Sequence, residues 1–107
     1  MDMVERFEVY FIDLNPTIGS EINKIRPCVI ISPNEMNNAL NTIIIAPLTS
    51  TIKAYPMRVK CIVDGKNGQV ALDHLRSIDK KRLKRKIAIL DDITADEIIE
   101  TLKKMFS

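Results

Sequence analysis

The sequence predicts a mainly β fold with helices, a curled antiparallel sheet or small barrel against which the helices pack. Three observations predict it. Apolar and polar residues alternate over residues 7–14 and again over 57–63, the period of a strand. Runs rich in β-branched residues fill 27–32 and 42–48. Only the stretch that begins at Thr94 repeats its apolar residues at the spacing of a long helix.

Taken in order, Phe7, Val9 and Phe11 share one side of a first strand, with Glu8 and Tyr10 on the other. Asn15, Pro16 and Gly19 break the pattern, so 15–24 reads as a long loop. Residues 27–32 form a buried strand. Ser32-Pro33-Asn34 then opens a short helical or turn segment through Leu40, with Ser32 or Asn34 as N-cap. Residues 42–48 make a third strand, 49–55 a polar connection and 57–63 a fourth strand. Asp64-Gly65-Lys66-Asn67-Gly68 is a hairpin signal. Residues 69–75 return as a strand, 77–84 form a short helical turn capped by Ser77 or Asp79, and 85–90 make a last strand. Thr94 with Glu97 is a capping box for the final helix, which Asp91 and Asp92 lead into. Its Ile98, Leu102 and Met105 fall on one stripe, with Ile99 and Phe106 beside them.

A chain of 107 residues is one domain, 1–107, and its 46% hydrophobic content argues against disorder. The first eight residues carry three acids where a secretory leader would be basic, and the longest apolar runs are far short of a membrane span. A cytoplasmic protein with no membrane partner is expected. Cys28 and Cys61 then read as reduced core thiols rather than a disulfide. The net charge of +2 is unevenly spread: residues 1–90 hold fourteen Lys/Arg against nine Asp/Glu, and 91–107 hold two against five. A basic body suits a polyanion, although the run 80–86 reads equally as a solvated face.

No metal centre or cofactor is expected. One histidine, two distant cysteines and scattered acids make no ligand cluster, and three glycines make no phosphate-binding loop. What remains is polar residues at strand ends: Glu21 and Arg26 at the entry to the second strand, Thr49 and Ser50 at the exit of the third, Asp73 and Arg76 around the end of the fifth. An arginine beside hydroxyls and a carboxylate suits a phosphodiester, because the guanidinium forks onto two phosphate oxygens. The same residue types are also common at ordinary surfaces and turns. Strand alternation would put Asp73 on the side away from Val70 and Leu72, towards the site, and His74 on their side, away from it.

In order and spacing, Asp13-Leu14-Asn15-Pro16-Thr17, Gly19-Ser20-Glu21, Arg26-Pro27, Ile31-Ser32-Pro33, Ala46-Pro47-Leu48-Thr49-Ser50 and Arg76-Ser77-Ile78-Asp79 resemble the MazF/PemK/Kid toxins over nearly the whole chain. The resemblance implies an SH3-like barrel related to the CcdB fold and a homodimer. It also implies metal-independent cleavage of single-stranded RNA to a 2′,3′-cyclic phosphate and a 5′-hydroxyl, and inhibition by a cognate antitoxin. On that resemblance Arg26 stabilises charge and transfers protons, Thr49 holds phosphate oxygens, and Asp73 is the base or 2′-hydroxyl orienter. Glu21 positions Arg26, and Thr17, Ser50 and Arg76 complete the substrate-binding set. One branch of the family places an arginine where this chain has Ala71 and a histidine where it has Ser20, and the common glutamine after the acid is His74 here. The alternatives are a CcdB-like toxin that binds DNA gyrase without chemistry, or an SH3-like RNA-binding or interaction module.

Overall fold

The computed structural model describes residues 3–15 and 25–107. It holds seven strands, two α-helices and two single turns of 3-10 helix. The strands are β1 (Glu8–Asp13), β2 (Ile25–Ile30), β3 (Thr42–Thr49), β4 (Arg58–Val63), β5 (Lys66–Ala71), β6 (Arg76–Asp79) and β7 (Leu83–Ile89). The helices are α1 (Asn34–Ala39) and α2 (Asp92–Met105), and the 3-10 turns are Leu72–His74 and Lys80–Arg82. Sheet order is β4-β5-β3-β2-β1-β7, with β6 also on β3, and every pair is antiparallel. The expected curled β architecture with a C-terminal helix is the one observed.

Packing is two-sided. On one face Val9, Val29, Leu48, Val59, Val70 and Ile98 join in a cluster that α2 closes. On the other face Ile12, Cys28, Ile30, Ile43, Ile45 and Ile78 form a second cluster. Strands buried on both faces lose the simple in–out alternation expected of a half-exposed sheet. This explains β1, where both Val9 and Ile12 are fully buried. It also explains Glu8, a buried carboxylate that accepts from the Glu5 N–H at 2.8 Å and meets Lys86 Nζ at 2.5 Å.

Several boundaries differ from expectation. The hairpin between β4 and β5 is tighter, because Asp64 (φ 54°) and Gly65 (φ 75°) are both left-handed and Val63 pairs directly with Lys66. That is the two-residue turn whose twist matches the flanking strands. Lys66, Asn67 and Gly68 therefore belong to β5, which ends at Ala71 instead of continuing through Leu75. The expected helical turn over 77–84 is replaced at its start by β6, since Ile43 pairs with Ile78 and Ile44 with Ser77. Asp79 does cap the 3-10 turn that follows, accepting from the Lys81 N–H. Neither Ser32 nor Asn34 caps α1: Pro33 holds that position, while Ser32 and Asn37 hydrogen-bond each other in the core. Helix α2 starts at Asp92 rather than at Thr94, with Asp91 in the cap position and no side-chain cap bond. Its buried stripe is Ala95 and Ile98, continued by half-buried Leu102 and Met105.

Candidate active site

Register decides which of the strand-end residues meet. Cys28 faces Pro47 across β2 and β3. Two residues beyond this pair on each strand lie Arg26 and Thr49, which line one cleft. Thr49 pairs in turn with Gln69 of β5, and Gln69 with Lys60 of β4. A polar row Arg26–Thr49–Gln69–Lys60 thus crosses four strands. Arg76 joins this side because it pairs with Ile45. The two guanidiniums sit close enough to Cys28 to favour its thiolate, yet burial outweighs them and pushes the thiol up to about 12. Cys61 is also buried and its thiol is pushed up to about 11, so both cysteines are free and inert core residues.

Arg26 and Thr49 border a cleft of about 240 Å³, lined also by Ser50, Phe11, Lys66 and Gly68 among others. Its walls come from strands that do not pair with each other: β4 supplies Cys61 and Val63, and β7 supplies Ile87. The curl of the sheet stops short of closure between these two edges. A larger hollow of about 690 Å³ continues the opening past Cys61, Asn67 and Gly68 to Ile62, Ile89 and Thr94. Gly68 is required where it stands, since a Cβ there would lie 2.8 Å from the Thr49 carbonyl oxygen.

Backbone on either side of the site is held by buried or cationic side chains, of which the sequence singled out Arg76 but not Gln69 or Arg82. Gln69, only 3% exposed, accepts from the Lys53 N–H at 3.1 Å and donates to the Lys53 carbonyl at 2.8 Å. That two-point hold secures the segment leaving Thr49 and Ser50. Arg76 donates to the Leu14 carbonyl at 3.2 Å, and Arg82 donates to the carbonyls of Asp13 (3.0 Å) and Asn15. Thr17 and Glu21 lie outside the described residues, as does Ser20.

Asp73 is placed differently from Arg26 and Thr49. It lies in the 3-10 turn after β5, so strand alternation does not govern which way it or His74 points, and that expectation is corrected. Asp73 is gripped by Arg58, with Nε to Oδ1 at 2.6 Å and Nη2 to Oδ2 at 3.0 Å. The Arg58 guanidinium holds the Asp73 carboxyl below its ordinary value, and Asp73 in return raises that of Arg58. His74 Nε2 is 3.6 Å from Asp73 Oδ2. The carboxylate is not among the residues lining the cleft beside Arg26. Among the described residues no group of His, Cys, Asp or Glu is arranged to hold a metal ion, and no helix is long and apolar enough to cross a membrane.

The arrangement is a cationic, hydroxyl-bearing corner of a sheet next to an open groove, suited to an extended anionic chain. Known proteins resemble this chain in sequence and in fold. Residues 5–106 match the family described as PemK-like, MazF-like toxin of type II toxin-antitoxin system. Endoribonuclease EndoA of Bacillus subtilis (strain 168) is 35% identical over 107 residues, which span 94% of this chain and 92% of the relative. MazF from Deinococcus radiodurans superposes with a TM-score of 0.86 at 25% identity, over 99% of this chain and 98% of that one. An endoribonuclease in complex with its cognate antitoxin, from Mycobacterial species, shares the fold at a TM-score of 0.80 and 22% identity, over 96% and 94% of the two chains. With its family model matched almost end to end and a relative of this identity along nearly its full length, the chain belongs to the PemK/MazF-like toxin family of type II toxin–antitoxin systems.

Proposed function

We propose that this chain is the endoribonuclease toxin of such a system, cutting single-stranded RNA at selected sequences in the cytoplasm. The observation that carries this reading is that Arg26 and Thr49 line the same cleft. An RNA strand laid in the groove would place a phosphate between them. Arg26 stabilises the charge that gathers on the phosphorane, and the Thr49 hydroxyl with neighbouring amides holds a non-bridging oxygen. The ribose 2′-oxygen loses its proton and bonds to phosphorus, the bond from phosphorus to the 5′-oxygen breaks, and that oxygen takes up a proton. The products are a 2′,3′-cyclic phosphate and a 5′-hydroxyl. DNA, lacking the 2′-hydroxyl, is not a substrate. Paired to Arg58, Asp73 is a weak base and better suited to orient the 2′-hydroxyl by accepting from it. Ser50, Arg76, Thr17 and Glu21 complete the binding set, with Glu21 positioning Arg26.

The active form we propose is a homodimer, and the supporting surface is the exposed apolar set around the larger hollow. Ile62, Ile89 and Ile93 are 69%, 61% and 75% exposed, apolar surface that a second copy would cover. A cognate antitoxin, acidic where it enters the groove, would exclude RNA by occupancy and charge. The test is incubation of the purified protein with single-stranded RNA in excess EDTA, with end-group analysis of the fragments. Cleavage leaving cyclic phosphate and 5′-hydroxyl ends supports the mechanism. Strict dependence on magnesium, 3′-hydroxyl ends or no cleavage overturns it. Sedimentation as monomer alone at micromolar concentration overturns the dimer.

A further inference from the structure

Arg58 is an enclosed cation that neither the sequence motifs nor the cleft accounts for. Its side chain is only 7% exposed, although it begins at the first residue of an edge strand. Three contacts hold it there. It pairs in register with Ala71, whose buried methyl leaves the space above β5 open to a long neighbour. The Tyr55 ring lies with its centroid 5.0 Å from the guanidinium carbon. Along one edge of the guanidinium, Nε and Nη2 each meet one carboxylate oxygen of Asp73. An exposed Lys or Arg on an edge strand ordinarily extends into water, so this geometry turns a solvating residue into a fixed one.

Ala71 follows Gln69 by two residues on the same face of β5, and Gln69 is the cross-strand neighbour of Thr49. The Arg58–Asp73 pair therefore stands one step along the sheet from the polar row that ends in Arg26. We infer that Arg58 is a positioning residue of the RNA-cleaving site: by its two-point hold it aims the Asp73 carboxylate along that face, at the nucleotide whose phosphate Arg26 and Thr49 receive. The inference rests on the endoribonuclease reading above. The arginine is enclosed while the Asp73 side chain keeps 37% of its surface free to accept a substrate hydroxyl.

Steady-state cleavage of an RNA oligonucleotide separates the cases, with circular dichroism as the check on folding. Arg58→Gln is expected to lower kcat about tenfold or more while KM stays within about twofold, as when geometry rather than binding is lost. Arg58→Lys, which keeps the charge and one contact, is expected to fall between the two. Asp73→Asn should match Arg58→Gln, and the double variant should be no worse than either single one, because both remove the same aimed carboxylate. A folded Arg58→Gln protein with wild-type kcat, or a double variant whose loss is the product of the single losses, overturns the inference. If Arg58→Gln does not fold, Arg58→Lys at full wild-type kcat overturns it. A wild type that cuts no RNA defeats the parent reading. A wild type that cuts, silenced by Arg26→Ala but indifferent to Arg58, defeats this inference alone.

Discussion

The two faces of the sheet use the same strands for different ends. The face under α2 is apolar from Val9 across to Ile98 and contributes cohesion. The opposite face is equally apolar at its centre, with Ile30, Ile43 and Ile45 fully buried, but its margin is cationic, with Arg26, Arg76 and Arg82 set where strands end. The lesson is positional. In β2 and β3 the middle of the strand is taken up by the two cores, which leaves the strand ends at Arg26 and Thr49 for chemistry. Those ends are held rigid by the packing behind them.

That contrast can be broken from either side. The largest effect is expected from Ile98→Ala, which opens a cavity beneath α2 at a fully buried position. It should cost about 3 kcal/mol, read as a lower denaturant midpoint, while the folded fraction cleaves RNA at the normal rate. Next is Arg26→Ala on the other face: cleavage should fall by about 100-fold with the denaturation midpoint unchanged, since the residue is half-buried at a strand end. If the two substitutions trade phenotypes, the division of labour between faces is wrong.

Gly68→Ala sharpens the comparison, because it links cohesion to chemistry. Its Cβ would press on the Thr49 carbonyl oxygen from 2.8 Å, so the strand must shift at the residue proposed to hold phosphate. A loss of about 1–2 kcal/mol in stability together with a several-fold drop in kcat is expected. A drop in stability alone would show that Thr49 tolerates displacement. The smallest effect concerns acid. Arg58 lowers the Asp73 pKa below its ordinary 3.8, so the pair's contribution is present above about pH 4 and is lost as pH falls through the lowered value. The exposure of Asp73 keeps this below about 1 kcal/mol. Urea midpoints at pH 6 and pH 2.5 should converge slightly in Asp73→Asn relative to wild type, and an identical pH dependence would count against the pair.

Local pattern was legible and register was not. The alternation of 57–63 and the β-branched run of 42–48 were enough to place β4 and β3, and the Ile98 stripe marked α2. Residues 76–79 escaped because four residues with a single buried isoleucine carry no period, and β6 exists only by pairing with β3. The Thr94–Glu97 spacing suggested a helix start that backbone geometry places two residues earlier. At the site, Arg26 and Thr49 could be singled out as strand-end residues beside a suitable chemistry. Arg58, Gln69 and Arg82 could not, because each acts on a partner at least fifteen residues away that only the folded sheet brings near.

The unclosed edges carry a hazard that the charges answer. Among the described residues β7 pairs only with β1, and β4 only with β5, so each offers a row of unsatisfied backbone groups to any passing strand. On β7 three consecutive residues, Lys84, Arg85 and Lys86, are cationic and exposed, and on β4 the exposed Lys60 stands between buried Val59 and Cys61. Like charges along both rims resist the stacking of one copy on the next, which would otherwise lead from an open sheet towards fibrils. The sign that guards these rims against aggregation is also the sign that would draw the proposed polyanion towards the groove between them.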